Sequence, residues 1–339
     1  MKTYIIAEVG VNHNGDLRLA ERMIRLAATT GANAVKFQTF SAEALSTSAA
    51  DLAPYQARTD EAIKNQAELL RTLELPAAAY PKLKSLAEAC GMDFLSSPFD
   101  IDSARLLNQI GLKLFKIPSG EITNLPYLEY VGATRKPILL STGMSTLSEI
   151  EGAIEVLCTA GSLKSDITVL HCTSAYPAPI DQVNLRSIRF LADRLRVNVG
   201  YSDHTSGVEA SVIAVAFGAT VIEKHFTLCR ELPGPDHNAS LEPTEFSNFV
   251  QAIRRAEVAI GIDDKLVAIC EEENKNVVRK SIVAKKEISA GQIITSEMLA
   301  AKRPASGLSP MRWREVVGTR ALRNYKPDEI LPADQIDAD

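Results

Sequence analysis

The sequence has no uninterrupted apolar run approaching the ~18 residues of a membrane-spanning helix, and no h-region with a cleavage site precedes the first apolar strand. A protein without membrane attachment, in the cytoplasm, is the expectation. A basic excess is also missing. The 37 Lys+Arg are outnumbered by 42 Asp+Glu, for a formal net charge of −5, which argues against a general binder of nucleic acid or anionic membrane. A small anionic substrate stays within reach, because a few local lysines suffice for one. Cysteine is scarce and unpatterned: Cys90, Cys158, Cys172, Cys229 and Cys270 are odd in number, widely spread and form no CxxC pair. Reduced thiols are the default, and Cys172, at a probable strand end, reads as an inert buried thiol. No GxGxxG turn follows the first strand, where Glu8-Val9-Gly10-Val11-Asn12-His13-Asn14-Gly15 stands instead. That removes the usual sign of a dinucleotide-binding, doubly wound sheet. Neither a Ser/His/Asp order nor a paired-carboxylate spacing stands out.

What is present is an ordinary globular composition, 46% hydrophobic and 23% charged, arranged in a strand–loop–helix rhythm. The stretch 197–228 shows it best. A strand over 197–199 runs into Gly200-Tyr201-Ser202-Asp203-His204-Thr205, an apolar helix is expected over 206–217, and a strand over 219–223 ends in Lys224-His225. Periodicity places earlier strands at 4–7, 34–37, 92–95, 114–117, 138–140 and 167–171. Helices are expected at 17–30, 81–90, 101–110, 125–133, 147–160, 184–195 and 243–260, with a long polar insertion over 41–76. Eight βα units in about 260 residues is the count of a TIM (β/α)8 barrel, expected over 1–262. Residues 263–278 read as a charged linker, and 279–339 as a small β-rich domain close to the lower size limit for an independent core.

In such a barrel the carboxyl ends of the strands share one rim, and polar residues gathered there are the candidates for chemistry. Every predicted strand end carries some: Glu8, Asn12 and His13; Lys36 and Gln38; Ser96 and Ser97; Lys116, Ser119 and Glu121; Ser141 and Thr142; His171, Thr173, Ser174 and Tyr176; Ser202, Asp203 and His204; Lys224 and His225. Two lysines amid hydroxyls and glycine-rich turns make a cradle for phosphate or carboxylate. Lys36 and Lys116 sit beside acceptors rather than in an apolar pocket, which suits charge clamping better than Schiff-base chemistry. Two histidines on one rim point to half of a divalent-metal site; the alternative is that each caps a loop.

The motifs Ile6-Ala7-Glu8-Val9-Gly10-Val11-Asn12-His13, Val35-Lys36-Phe37-Gln38, Lys116-Ile117-Pro118-Ser119-Gly120-Glu121, Leu140-Ser141-Thr142-Gly143-Met144, His171-Cys172-Thr173, Gly200-Tyr201-Ser202-Asp203-His204-Thr205, Glu223-Lys224-His225-Phe226-Thr227-Leu228 and Gly234-Pro235-Asp236-His237 resemble those of the sialic acid (nonulosonic acid) synthase family. The tail, with Lys302-Arg303-Pro304, resembles that family's antifreeze-like (SAF) domain. The resemblance implies condensation of phosphoenolpyruvate with an N-acetylated mannosamine-type aldose and water, giving a nine-carbon 2-keto acid and phosphate. It implies that Lys36, Ser97, Lys116, Ser119, Ser141, Ser174 and Ser202 hold phosphoenolpyruvate, and that His204 and His225 bind Mn²⁺ or Mg²⁺. Gln38, Glu121, Tyr176 and Asp236 are implied to contact the sugar and Glu8 to manage a proton. Arg303 is implied to reach a second subunit of a domain-swapped homodimer. Some relatives carry Thr and Asn where Ser97 and Ser174 stand. Ala53-Pro54-Tyr55-Gln56 and Glu121-Ile122-Thr123-Asn124-Leu125-Pro126-Tyr127-Leu128 look most like synthases of N,N'-diacetyllegionaminic acid, which use 2,4-diacetamido-2,4,6-trideoxymannose. N-acetylmannosamine, giving N-acetylneuraminic acid, is the alternative; a phosphorylated sugar comes third.

Overall fold

Eight short apolar runs become eight parallel strands: β1 (Tyr4–Gly10), β2 (Ala34–Thr39), β3 (Asp93–Pro98), β4 (Phe115–Ile117), β5 (Ile138–Ser141), β6 (Ile167–Cys172), β7 (Asn198–Asp203) and β8 (Val221–His225). This computed structural model describes residues 2–47, 49–52 and 63–336. The ladder runs β3-β2-β1-β8-β7-β6-β5-β4, all parallel, and β3 packs against β4, so the sheet curls into the expected barrel. Residues 53–56, one of the two stretches that favoured the diacetyl sugar, lie outside the described residues. Among those described, no helix is long and apolar enough to cross a membrane.

The helices Leu125–Ala133, Leu147–Ala160 and Pro243–Ile260 match their predicted limits. Local chemistry sets these ends. Thr146 and Glu149 close a capping box at the start of the second, and proline stands in the first turn of the first and third. Seven of the eight strands run further than apolar periodicity predicts, β7 and β8 among them: 197–199 becomes β7 to Asp203, and 219–223 becomes β8 to His225. The polar tips of β7 and β8 stay in the ladder because each side chain finds a partner inside the protein. Lys224, fully buried, lies 3.0 Å from Asp203 and donates to the carbonyls of Thr205 and Gly207. Those bonds hold 205–207 as loop, and the following helix therefore begins at Glu209 rather than at 206.

Strand alternation sorts side chains into layers. Ile6, Ala34, Leu95, Leu139, Leu170 and Val221 form an apolar cluster inside the barrel, its floor. Gly200 shares this layer, since a Cβ there would lie only 2.5 Å from Leu170 Cδ2 and from the Val221 carbonyl oxygen. Outward-facing residues such as Val35, Phe37, Val169 and Tyr201 join the larger core under the helices.

The chain divides after Gly261 into two compact units. The second contains the antiparallel pair β9 (Ser281–Ala284) and β10 (Leu299–Lys302) around its own core of Ile282, Ile288, Ile294, Leu308, Val316, Tyr325 and Leu331. The charged segment expected to be a linker carries the helix Glu272–Val278, and Asn276 accepts a backbone hydrogen bond from Ala305 of the same unit.

Candidate active site

Two residues beyond the apolar floor, each strand presents its next inward side chain. These are Glu8, Lys36, Ser97, Lys116, Ser141, Cys172, Ser202 and Glu223, and they line one cavity of about 410 Å³. That volume suits a small-molecule site. Gln38, Ser119, Ser174, Tyr176, His204 and His225 form its upper wall. The structure thus gathers most of the expected site residues around one space.

The polar ring is held together by buried ion pairs. Glu8 and Lys36 are partners in the β1–β2 register, and their charged groups meet at 2.8 Å. Lys36 also donates to Ser97 Oγ at 3.0 Å and lies 3.7 Å from Glu223. Lys116 lies 3.4 Å from Glu223 Oε1, and the same oxygen accepts from Ser202 at 3.0 Å. Two lysines and two glutamates in so dry a place set each other's protonation. Burial, reinforced by repulsion from Glu223, raises Glu8 to about 7 despite Lys36. Burial would raise Glu223 too, but Lys116 and Lys36 hold it down at about 2. Lys36 is raised, its burial outweighed by Glu223 and Glu8. Lys116 is lowered by burial against the pull of Glu223. Glu8 is therefore the carboxyl group able to give or take a proton near neutrality, while Glu223 is a fixed negative charge.

His204 and His225 stand with ring centroids 5.6 Å apart, and Tyr176 packs against both, 4.3 Å from His204 and 5.6 Å from His225. Burial lowers the pKa of both imidazoles, so both are neutral. The Nδ1–H of His204 donates to the Thr173 carbonyl at 2.7 Å, which leaves the Nε2 lone pair with only a long 3.5 Å contact to Ser202 Oγ. The Nδ1 of His225 is buried without a hydrogen bond, 4.0 Å from Asp236. Two neutral imidazoles, each with a nitrogen to spare, fit a divalent cation. Among the described residues no group of three or more His, Cys, Asp or Glu side chains is arranged to hold one. These two ligands would leave coordination positions for oxygen atoms of other origin.

Three expected sugar contacts lie off the lining. Glu121 is buried beside it, raised in pKa by burial, and accepts from Asn124 at 2.6 Å. Asp236 is buried behind His225, and burial raises it to about 6. Arg303 follows β10 in the second unit and is exposed. Several rim candidates prove structural because they fall on outward strand positions or in the first loop. Lys224 and Asp203 pair with each other, His171 bonds the Val183 carbonyl, Asn12 donates to the Phe226 carbonyl and Ser240, and His13 accepts from the Gly15 amide. Glu223, not singled out from sequence, and Cys172, read there as an inert buried thiol, both line the cavity. Counting two residues on from Val221 and Leu170 finds both.

Comparison with known proteins agrees with this geometry. The NeuB family model matches residues 23–265, and the SAF domain model matches 279–337. The chain belongs to the NeuB family. This member is 51% identical over 330 residues to the N,N'-diacetyllegionaminic acid synthase of Campylobacter jejuni, covering 97% of this chain and 99% of that protein. It is 42% identical to the N,N'-diacetyllegionaminic acid synthase of Legionella pneumophila, covering 100% of this chain and 96% of the relative. The crystal structure of the N-acetylneuraminic acid (sialic acid) synthetase of Leptospira borgpetersenii superposes with a TM-score of 0.71 at 34% identity, over 81% of this chain and 90% of that one. The resemblance seen in the motifs is thereby borne out for family and fold.

Proposed function

We propose that this NeuB family member condenses phosphoenolpyruvate with 2,4-diacetamido-2,4,6-trideoxymannose and water to give N,N'-diacetyllegionaminic acid and phosphate. The observation that carries the reaction class is the buried ring of Lys36, Lys116 and serine hydroxyls opposite two neutral histidines in one cavity. The sugar rests on the 51% and 42% identical relatives.

In this reading Lys36, Ser97, Lys116, Ser119, Ser141, Ser174 and Ser202 hold the phosphate and carboxylate of phosphoenolpyruvate. The two ammonium groups, already desolvated, balance charge on the leaving phosphate without reorganising. A divalent ion at His204 and His225, Mn²⁺ or Mg²⁺, supplies polarisation of the aldehyde oxygen when bound. Carbon 3 of phosphoenolpyruvate bonds to the aldehyde carbon, water adds at carbon 2, and the carbon–oxygen bond to phosphate breaks. Glu8, which holds its proton to about pH 7, exchanges that proton with the aldehyde or hydroxyl oxygen. Gln38, Tyr176, Glu121 and Asp236 orient the sugar. The test is kcat/KM for the diacetamido sugar against N-acetylmannosamine. At least a tenfold preference for the former, about 1.4 kcal/mol of discrimination, is expected; preference for N-acetylmannosamine would make the enzyme an N-acetylneuraminate synthase.

The same reading has Arg303 complete the sugar site in the barrel of a second copy, as a domain-swapped homodimer. Its five cysteines are all free thiols, as suits the cytoplasm. Arg303→Ala should raise the sugar KM several-fold and leave the phosphoenolpyruvate KM in place. A monomer in sedimentation, or an unchanged sugar KM, would remove the swapped tail.

A further inference from the structure

Ser119 Oγ has one proton to give and two lone pairs that accept. The Gly143 amide fills one lone pair at 2.9 Å, and Cys172 Sγ lies 3.3 Å away, with either atom able to donate to the other. The two arrangements present different faces to the cavity that both residues line. If the serine donates to sulfur, the cavity meets a lone pair, which repels an anion. If the thiol donates to the serine, the serine proton is left to point inward. Three chain segments fix this triangle. A Cβ at Gly143 would collide with Ser174 Oγ and Ser119 Oγ and would stand 3.1 Å from Cys172 Sγ. Cys172 itself is locked in the β6–β7 register opposite Ser202. Lys116, Ser141 and Ser174 line the same cavity beside this pair, so a polar ligand held there lies within reach of Ser119.

We propose that Cys172 is a positioning residue: its thiol donates to Ser119 Oγ and thereby turns the Ser119 proton onto the phosphate or carboxylate of the bound substrate. The inference rests on the phosphoenolpyruvate reading given above and adds to it a residue that acts through another. No bond is made or broken at sulfur.

The test is a double-mutant cycle with both Michaelis constants and thermal melting read for each variant. Cys172→Ala, which leaves Ser119 free to turn away, should raise the phosphoenolpyruvate KM roughly three- to tenfold, the value of one ordinary hydrogen bond. The sugar KM and kcat should stay within about twofold by the same reasoning. Cys172→Ser keeps a donor and should lie nearer the wild type than Cys172→Ala. In a Ser119→Ala background, Cys172→Ala should add nothing further, because the group it orients is gone. An unchanged phosphoenolpyruvate KM in a normally melting Cys172→Ala protein would overturn the inference. So would a full additional loss in the Ser119→Ala background. If Cys172→Ala melts early, Cys172→Val, which fills the space and cannot donate, replaces it in the cycle. A wild-type protein that leaves phosphoenolpyruvate untouched is a different result, which removes the proposed function and this inference with it.

Discussion

Lys116→Met is expected to lower turnover by about 10²–10³-fold, the usual loss when one preorganised electrostatic partner is taken from a buried site. Lys36 is engaged by Glu8, Glu223 and Ser97, whereas Lys116 has Glu223 alone among the carboxylates within 4 Å. Lys116 is therefore less neutralised by protein carboxylates than Lys36 and freer to meet an incoming anion. The same substitution carries a stability signature. Lys116 is the largest influence holding Glu223 at about 2 against its burial. A carboxyl group whose folded pKa is depressed from 4.5 to about 2 stabilises the fold above its unfolded pKa. That stabilisation disappears as pH falls from about 4.5 through 2. With Lys116 gone much of it is absent at neutral pH as well, so the variant melts lower at pH 7 and loses less than the wild type on acidification. Melting curves at pH 7 and pH 4 check this. An unchanged neutral melting temperature together with unchanged turnover would separate Lys116 from both roles.

If the proposed divalent ion sits at His204 and His225, His204→Ala and His225→Ala should each abolish Mn²⁺ binding. Losing a partner that merely orients a metal-bound histidine costs about 10- to 100-fold in affinity, and losing one of two imidazole ligands costs more. Titration with Mn²⁺ reads this without turnover. His204 Nε2 has only the long 3.5 Å contact with Ser202 Oγ, and His225 Nδ1 has no hydrogen bond. Tight Mn²⁺ binding retained in either variant would remove the assignment of that histidine.

The barrel was legible in the chain because eight apolar strands and their helices carry strong periodic signals. Three helices even match residue for residue, their ends marked by proline and a capping box. The strand tips were less legible. Ser202-Asp203-His204 and Lys224-His225 look like polar loops, yet β7 and β8 continue through Asp203 and His225. Only period-two alternation decides that Ser202, Glu223 and the histidines face inward while Asp203 and Lys224 face out. A list of polar residues at strand ends therefore mixes both faces, and it promoted Lys224 and His171 while passing over Glu223 and Cys172. The pairing of Glu8 with Glu223 across Lys36 was invisible for another reason. Their separation in sequence carries no spacing signal, and they meet because β1 and β8 are neighbours only in the closed barrel. Glu121 and Asp236 lie beyond strand ends, where no periodicity places a side chain, and there the family resemblance was the sole guide.

The most direct measurement of the central claim is phosphate release from phosphoenolpyruvate by the full-length protein with Mn²⁺, with and without 2,4-diacetamido-2,4,6-trideoxymannose. The account predicts release only when the aldose is present, matched one for one by a nine-carbon 2-keto acid seen by mass spectrometry. Release that ignores the aldose, or none with any N-acetylated mannosamine-type sugar offered, would contradict it.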